Sequence, residues 1–337
     1  MLPWFKNQFP LYLAPMAGVT NTVFRQICKK HGADVLVTEF VSADGIMHQN
    51  QRTREYVEFQ ECERPLGVQL FGAEPERLAE AARMVVDWVQ PDFIDLNFGC
   101  PVNKVVSKNG GSALLKDCPL LEKVARAVVK ASPVPVTAKI RLGWSNQSIN
   151  ACQNARILES SGIQALAVHG RTKEQGYSGL ANWEHIAEVA AAVSIPVIGN
   201  GDITCAEDVL KRRHSSNIAG IMIGRAAMSS PWVFAQIKAY LLTGQILPQP
   251  LLEDRWRMIL DHCQKEIEAR GGPGLEKPIM HSMRARLMAY TRGLPAGRHL
   301  RGELQHVSSR QDVERIAEAH LRDHALEELC PKLSAVA

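Results

Sequence analysis

Between residues 11 and 223 the chain repeats one pattern eight times: a short apolar, β-branched run, then a longer stretch in which apolar residues recur at helical spacing. Short apolar runs bounded by turn residues read as buried strands, and strands that alternate with helices pair in parallel. The runs are residues 11–16, 35–40, 65–71, 93–97, 136–141, 165–169, 196–200 and 220–223. Eight successive βα units are what closes a (β/α)8 barrel, so the expected class is α/β, a TIM barrel; an open, doubly wound sheet is the alternative that the same alternation allows. Helices are expected over 22–30, 76–88, 120–131, 149–160, 183–193 and 206–213, several opened by Asp, Asn, Ser or Pro, as in Asp117-Cys118-Pro119.

Polar or reactive residues follow the apolar part of nearly every run: Pro15-Met16, Glu39, Gln69, Asn97, Lys139, His169-Gly170-Arg171, Asn200-Gly201-Asp202 and Gly224-Arg225. A single strand-end polar residue says little, but a barrel gathers all eight sets at one mouth, where catalytic sites of this architecture are built. Cys100 lies just past the fourth run, between Gly99 and Pro101. With an ordinary pKa near 8.5 its thiol is mostly protonated at neutral pH and suits a general acid; as a thiolate it would be a nucleophile. No His stands close to it in sequence, and most lone loop cysteines are inert. The eight cysteines are at least 18 residues apart, so reduced, separate thiols and no metal site are expected.

The chain of 337 residues is longer than a barrel of about 250 residues needs. After Ser230 the apolar period is purely helical, with helices expected over 231–242, 253–270, 278–292 and 311–324 and a proline-bearing linker over 246–250. The expected division is a barrel over 1–245 and an all-helical domain over 246–337. The net charge of +4 is too mild to signal nucleic acid by itself. Its distribution is uneven: residues 277–301 hold Lys277, Arg284, Arg286, Arg292, Arg298 and Arg301 and no Asp or Glu. Such a block suits a polyanion footprint, or a solvated face whose counter-charges lie elsewhere. Polar residues interrupt the N-terminal segment before a signal-peptide core can form, so a cytoplasmic protein is expected.

The ordered set Ala14-Pro15-Met16-Ala17-Gly18, Thr38-Glu39-Phe40, Gln69-Leu70-Phe71-Gly72, the 97–115 stretch with Asn97-Phe98-Gly99-Cys100-Pro101, Lys139-Ile140-Arg141-Leu142-Gly143-Trp144, Val168-His169-Gly170-Arg171-Thr172, Gly199-Asn200-Gly201-Asp202-Ile203 and Met222-Ile223-Gly224-Arg225-Ala226 resembles the signature of the tRNA-dihydrouridine synthases. The basic helical tail is similar to that family's RNA-binding domain. The resemblance implies an FMN-binding barrel, NADPH (or NADH) as reductant, and reduction of a uridine C5–C6 bond in tRNA; the D-loop as its place and a monomer are expected. It does not specify which D-loop position, because Leu96–Cys100 and His169–Tyr177 are closer to one subfamily and Pro15–Gly18 and Ser42 to another.

Carried over by motif, Pro15, Met16 and Ala17 would line the flavin, Gln69 would hydrogen-bond its ring, and Lys139 and His169 would lie beside it. Asn200, Gly201, Asp202, Gly224 and Arg225 would hold its phosphate side. Cys100 would be the catalytic acid, Asn97 would help position the uracil, and Arg171 would lie near the flavin or the RNA. Lys104, Arg284, Arg286, Arg292, Arg298 and Arg301 would touch RNA, whose target base has to be flipped out of its stack to reach a barrel mouth. A small-molecule FMN reductase and a non-catalytic RNA-binding barrel are the competing readings; neither accounts at once for the basic block and for Cys100 with Lys139.

Overall fold

The structure, a computed structural model, describes residues 2–6, 8–49 and 51–324. Its strands are β1 (Leu11–Leu13), β2 (Leu36–Val37), β3 (Val41–Ser42), β4 (Leu66–Phe71), β5 (Phe93–Phe98), β6 (Val136–Arg141), β7 (Leu166–His169), β8 (Val197–Asn200) and β9 (Gly220–Ile223). Eight of them follow one another in the order β1-β9-β8-β7-β6-β5-β4-β2, every pair parallel, while β3 pairs with the end of β4. The ring closes through a parallel bridge between Tyr12 and Val35. There Leu13 N–H donates to Val35 O at 3.0 Å and Val35 N–H to Leu11 O at 3.3 Å. The fold is a TIM barrel with helices around it.

Each of the eight apolar runs supplies a barrel strand. Residues 35–40 are the exception in detail, because the sheet leaves Thr38-Glu39-Phe40 between β2 and β3. Side chains replace ladder partners there: Thr38 Oγ1 accepts Gln69 N–H at 3.1 Å and donates to Glu39 O at 2.9 Å, and Glu39 Oε2 accepts Gly18 N–H at 2.7 Å. β1 likewise stops at Leu13, and the chain turns where Val19 and Thr20 N–H donate to Met16 O.

Alternation along the strands sorts residues between two cores. Ile94, Leu96 and Phe98 of β5 pack outward against the helices, whereas Phe93 faces inward with Tyr12, Val37, Ala167, Ile198 and Met222. Gly67 is required beside Phe93, because a Cβ there would lie 2.2 Å from its ring. The opposite end of the barrel from the strand C-termini is plugged by the turn Pro3–Phe5, whose Trp4 indole N–H donates to Tyr12 Oη at 2.6 Å. Outside, the Pro75–Val89 helix shows why such segments form: proline opens it, Gln90 in the left-handed region ends it, and Leu78, Ala81, Ala82 and Val85 form its buried stripe. Burial of each such Leu or Val stabilises the fold by about 1.5–3 kcal/mol.

The chain forms two compact units. The first comprises Met1–Ala227 and Val233–Gln245; the second takes Met228–Trp232 and the chain from Ile246 onward. The second unit is helical, with Leu252–Ala269, Glu276–Tyr290, Gly297–Leu304 and Arg310–His324 around its own core of Trp256, Ile259, Cys263, Met280, Met283, Leu287, Tyr290, Leu300 and Val313. The Gly297–Leu304 helix was not expected: it starts without a side-chain cap after Ala296 in the left-handed region, and is held by burial of Leu300 and Leu304. Among the described residues no helix is long and apolar enough to cross a membrane.

Candidate active site at the barrel mouth

Inward-facing residues of β4 to β6 form one hydrogen-bonded set that runs from the barrel interior to the C-terminal end of β5. Thr137 Oγ1 and Gln69 Nε2 each donate to Asp95, both at 2.6 Å. Asn97 Nδ2 donates to Gln69 Oε1 at 2.8 Å, and Asn97 Oδ1 accepts the backbone N–H of Gly99 at 3.0 Å and of Cys100 at 2.8 Å. Ser112 closes the turn from its other side, its N–H and hydroxyl donating to Cys100 O. Cys100 is thus fixed on a turn and 7 % exposed. Burial pushes its thiol above the ordinary cysteine range, against the pull of the Val102 backbone and of Arg141 and Lys139. A thiol raised in this way stays protonated at neutral pH, a form suited to giving up a proton rather than to nucleophilic attack.

Lys139 pairs in register with Asn97 across β5 and β6. Its ammonium makes no hydrogen bond or ion pair with any described residue. Burial and the nearby Arg141 push its pKa down to about 8, with Asp95 opposing. Arg141 is itself tied down: Nε donates to Gly99 O at 2.9 Å and Nη1 to the carbonyls of Thr172 and Gly176 at 2.8 and 2.9 Å. His169, in register with Arg141 and Asn200, is 7 % exposed. Burial first, and then Lys139, Arg141, Arg171 and Arg225, hold it far below the usual imidazole range. Its Nε2 faces Arg171 Nη1 at 3.4 Å; a guanidinium only donates, so Nε2 is the acceptor of a neutral ring.

After β8 and β9 the backbone turns expose main-chain groups. Asn200 Nδ2 donates to Met222 O at 2.8 Å, tying the two strand ends together. Gly201 has φ +131°, and a Cβ there would stand 2.6 Å from Ala181 Cβ. Asp202, also left-handed at φ +52°, accepts Ala181 N–H at 2.7 Å, Arg171 Nη2 at 2.8 and 2.9 Å, and Arg225 Nη2 at 2.8 Å. Although burial opposes it, these donors hold its carboxyl below the ordinary range. Gly224 packs near Met16, a built Cβ reaching its Sδ at 3.5 Å. Pro15 and Met16 are half-buried and Ala17 exposed on the turn after β1.

The family model for dihydrouridine synthase (Dus) matches residues 12–328. This chain belongs to the dihydrouridine synthase family. A "Probable tRNA-dihydrouridine synthase" of Rickettsia bellii is 42 % identical over 293 residues, 87 % of this chain and 88 % of the relative. The "tRNA-dihydrouridine synthase B" of Pseudomonas aeruginosa is 44 % identical over 252 residues, 75 % of this chain and 76 % of that one. Among solved structures, histamine dehydrogenase from Rhizobium sp. 4-9 (TM-score 0.50, 14 % identity, 71 % of this chain and 46 % of that one) and the amine oxidase HisD from Pseudomonas geniculata N1 (TM-score 0.52, 16 % identity, 68 % and 47 %) share the fold.

Three residues of this dihydrouridine synthase family member stand differently from the expectation. Arg171 does not reach outward to RNA: it is 1 % exposed and spends its donors on Asp202 and on the carbonyls of Ser178 and Gly179. The Asp202 side chain, a carboxylate, does not hold a phosphate; it aims Arg171 and Arg225. Arg286 lies in the core of the helical unit, 9 % exposed, and is no part of its surface. Arg284 is half-buried, donating to Val307 O at 2.8 and 3.0 Å, whereas Arg292, Arg298 and Arg301 are exposed, and Lys104 is exposed on the short helix Asn103–Val106.

The residues missed in the sequence are Asp95, Arg141, Trp144 and Tyr177. Tyr177, 61 % exposed, sits with its ring 5.7 Å from the Arg141 guanidinium and 5.2 Å from that of Arg225. Trp144 after β6 carries two ammonium groups over its ring, Lys116 at 3.9 Å and Lys173 at 4.4 Å, and neither has an ion-pair partner among the described residues. Arg141, Trp144 and Tyr177 lay inside the family-like runs; only Asp95, in the middle of a strand, carried the signal of a polar residue in an apolar run.

Proposed function

We propose that the protein is a tRNA-dihydrouridine synthase of the cytoplasm, reducing the C5–C6 bond of a D-loop uridine with FMN and NADPH. The observation that carries this reading is the pairing at one barrel mouth of a protonated thiol, Cys100, with an ammonium, that of Lys139, which has no hydrogen-bond or ion-pair partner among the described residues. An unpaired, partly buried cation calls for an electron-rich partner, and a flavin fits the residues that surround it. Lys139 would face the N1–C2 edge, the Gln69 amide would bind the ring, and the 15–17 turn would line it. The open backbone of Gly201 and Gly224, Asn200, and the Arg225 guanidinium aimed by Asp202 would take the phosphate, as glycine turns after the last two barrel strands do. When bound, FMN would supply the hydride chemistry that reduction of the uracil requires, with NADPH as the source of electrons.

The chain's own residues do the rest. Cys100 hands its proton to C5 of the uracil, and burial keeps that proton in place at neutral pH. Asn97, holding the Cys100 turn with its oxygen, lies where it can also orient the base. Neutral His169 can donate a hydrogen bond without adding a further cation beside Lys139, Arg141 and Arg171. A uridine must leave its stack to reach these groups, so backbone contacts are needed outside the pocket. Lys104, Lys116 and Lys173 on the rim, and Arg292, Arg298 and Arg301 of the helical unit, supply exposed cations for phosphates. The test is incubation of the purified protein with NADPH and an unmodified tRNA transcript, followed by mass spectrometry of its fragments: a D-loop fragment heavier by two hydrogens supports the reading, and an unchanged transcript overturns it.

A further inference from the structure

Asp95 touches neither the proposed cofactor nor the base, yet the turn that carries Cys100 depends on it. It is 4 % exposed in the barrel interior, and both its oxygens are occupied, by Thr137 Oγ1 and by Gln69 Nε2. Burial raises the Asp95 pKa, while the Thr137 and Gln69 hydrogen bonds and the nearby Lys139 favour its charged form; as a carboxylate it accepts and does not donate, so the Gln69 amide stands with nitrogen toward Asp95 and oxygen toward Asn97. That oxygen in turn fixes the Asn97 amide, nitrogen toward Gln69 and oxygen toward the N–H groups of Gly99 and Cys100. Each amide has ends of opposite polarity, and the orientation set at Asp95 passes along the chain to the cysteine. With Asp95 lacking, Gln69 could turn over, Asn97 would follow, and its nitrogen would meet two backbone donors with nothing to accept them.

We propose that Asp95 is a positioning residue: it sets the polarity of the Gln69 and Asn97 amides and thereby fixes the turn of the proton donor Cys100 against the side chain that faces the flavin. The inference rests on the function proposed above for the roles of Gln69 and Cys100, but the hydrogen-bond relay does not.

Two variants separate positioning from simple core packing. In Asp95→Asn the carboxamide oxygen still accepts from Gln69 and its nitrogen donates to the Thr137 hydroxyl, so the relay keeps its polarity. Asp95→Leu has similar volume and no acceptor. The full-length protein is treated with iodoacetamide and Cys100 modification is followed by peptide mass spectrometry; reduction of bound flavin by NADPH and its reoxidation by tRNA are followed separately. Loss of a buried acceptor predicts that Cys100 is alkylated about tenfold faster in Asp95→Leu and about as in the parent in Asp95→Asn. Reoxidation by tRNA is expected to slow by about a hundredfold in Asp95→Leu with the tRNA KM within about twofold, because the interaction lost serves the transition state. Should Asp95→Leu fail to fold, Gln69→Leu breaks the relay at its second link and is expected to speed alkylation likewise. Equal alkylation of Cys100 in the parent and in whichever of Asp95→Leu and Gln69→Leu folds, or equal losses in Asn and Leu variants, would overturn the proposal. Alkylation needs neither RNA nor reductant, so failure of tRNA to reoxidise the parent's flavin sinks the functional reading alone.

Discussion

Arg171 and Asp202 form a two-oxygen ion pair, Nη2 to Oδ2 at 2.8 Å and to Oδ1 at 2.9 Å, with the guanidinium 1 % exposed. The pair joins the turn after β7 to the turn after β8, and the same carboxylate holds Arg225 at the start of the chain beyond β9. Three strand ends are therefore set relative to one another by a single acidic side chain.

Removing that side chain strands a buried guanidinium. Asp202→Ala is expected to lower unfolding stability by about 3–5 kcal/mol, read from the denaturant midpoint. The flavin-binding constant should weaken as well, since Arg225 loses its guide. Unchanged stability would mean that Arg171 finds another partner.

Lys139 gives a pH signature of opposite sign to the usual lysine. Its folded pKa of about 8 lies below the unfolded value, so below pH 8 both states carry the proton and the folded one bears the cost of burying it. As pH rises from about 8 toward 10.4, the folded state loses that proton first and stability rises. Thermal unfolding of the flavin-free protein should show Lys139→Met more stable than the parent below pH 8, the gap closing across this window. A gap independent of pH would contradict the burial of the cation.

In the helical unit, exposure separates residues that sequence alone groups together. Arg298→Glu with Arg301→Glu is expected to raise the tRNA KM and flatten its dependence on log salt by about two, one per phosphate contact. Arg286→Met is expected to lower stability and leave the salt slope as it was, because its side chain is in the core. Identical slopes in both variants would place the RNA elsewhere.

The two lysines over Trp144 call for a third comparison. Lys116→Gln with Lys173→Gln should weaken tRNA binding with a slope reduced by about two, and leave flavin reduction by NADPH unaltered. A change confined to the NADPH step would show that these cations serve the reductant and not the RNA.

The barrel was legible because parallel strands buried on both faces leave continuous apolar runs, and each of the eight runs lies where a barrel strand forms. The split at Thr38-Glu39-Phe40 was not, since it depends on Gln69 and Gly18, far away in sequence, supplying the hydrogen bonds. Cys100, Asn97, Gln69 and Lys139 could be picked out as polar residues at strand ends. Which arginines face outward could not: Arg286 and Arg298 look alike in a basic block, and only the packing of the Glu276–Tyr290 helix assigns one to the core. Asp95 stood out as a polar residue in an apolar run, but its role did not, since that is defined by two side chains from neighbouring strands.

In the proposed reaction the Cys100 thiol protonates a uridine whose other hydrogen comes through the flavin. Its most direct test is anaerobic: the flavin of the parent and of Cys100→Ala is reduced with NADPH, unmodified tRNA transcript is added, and the return of the oxidised spectrum is timed. Both proteins should bleach at the same rate, and recovery should be slower in Cys100→Ala by about 10² to 10⁴, the range of a general acid. Equal recovery in the two proteins would show that Cys100 is not the proton donor.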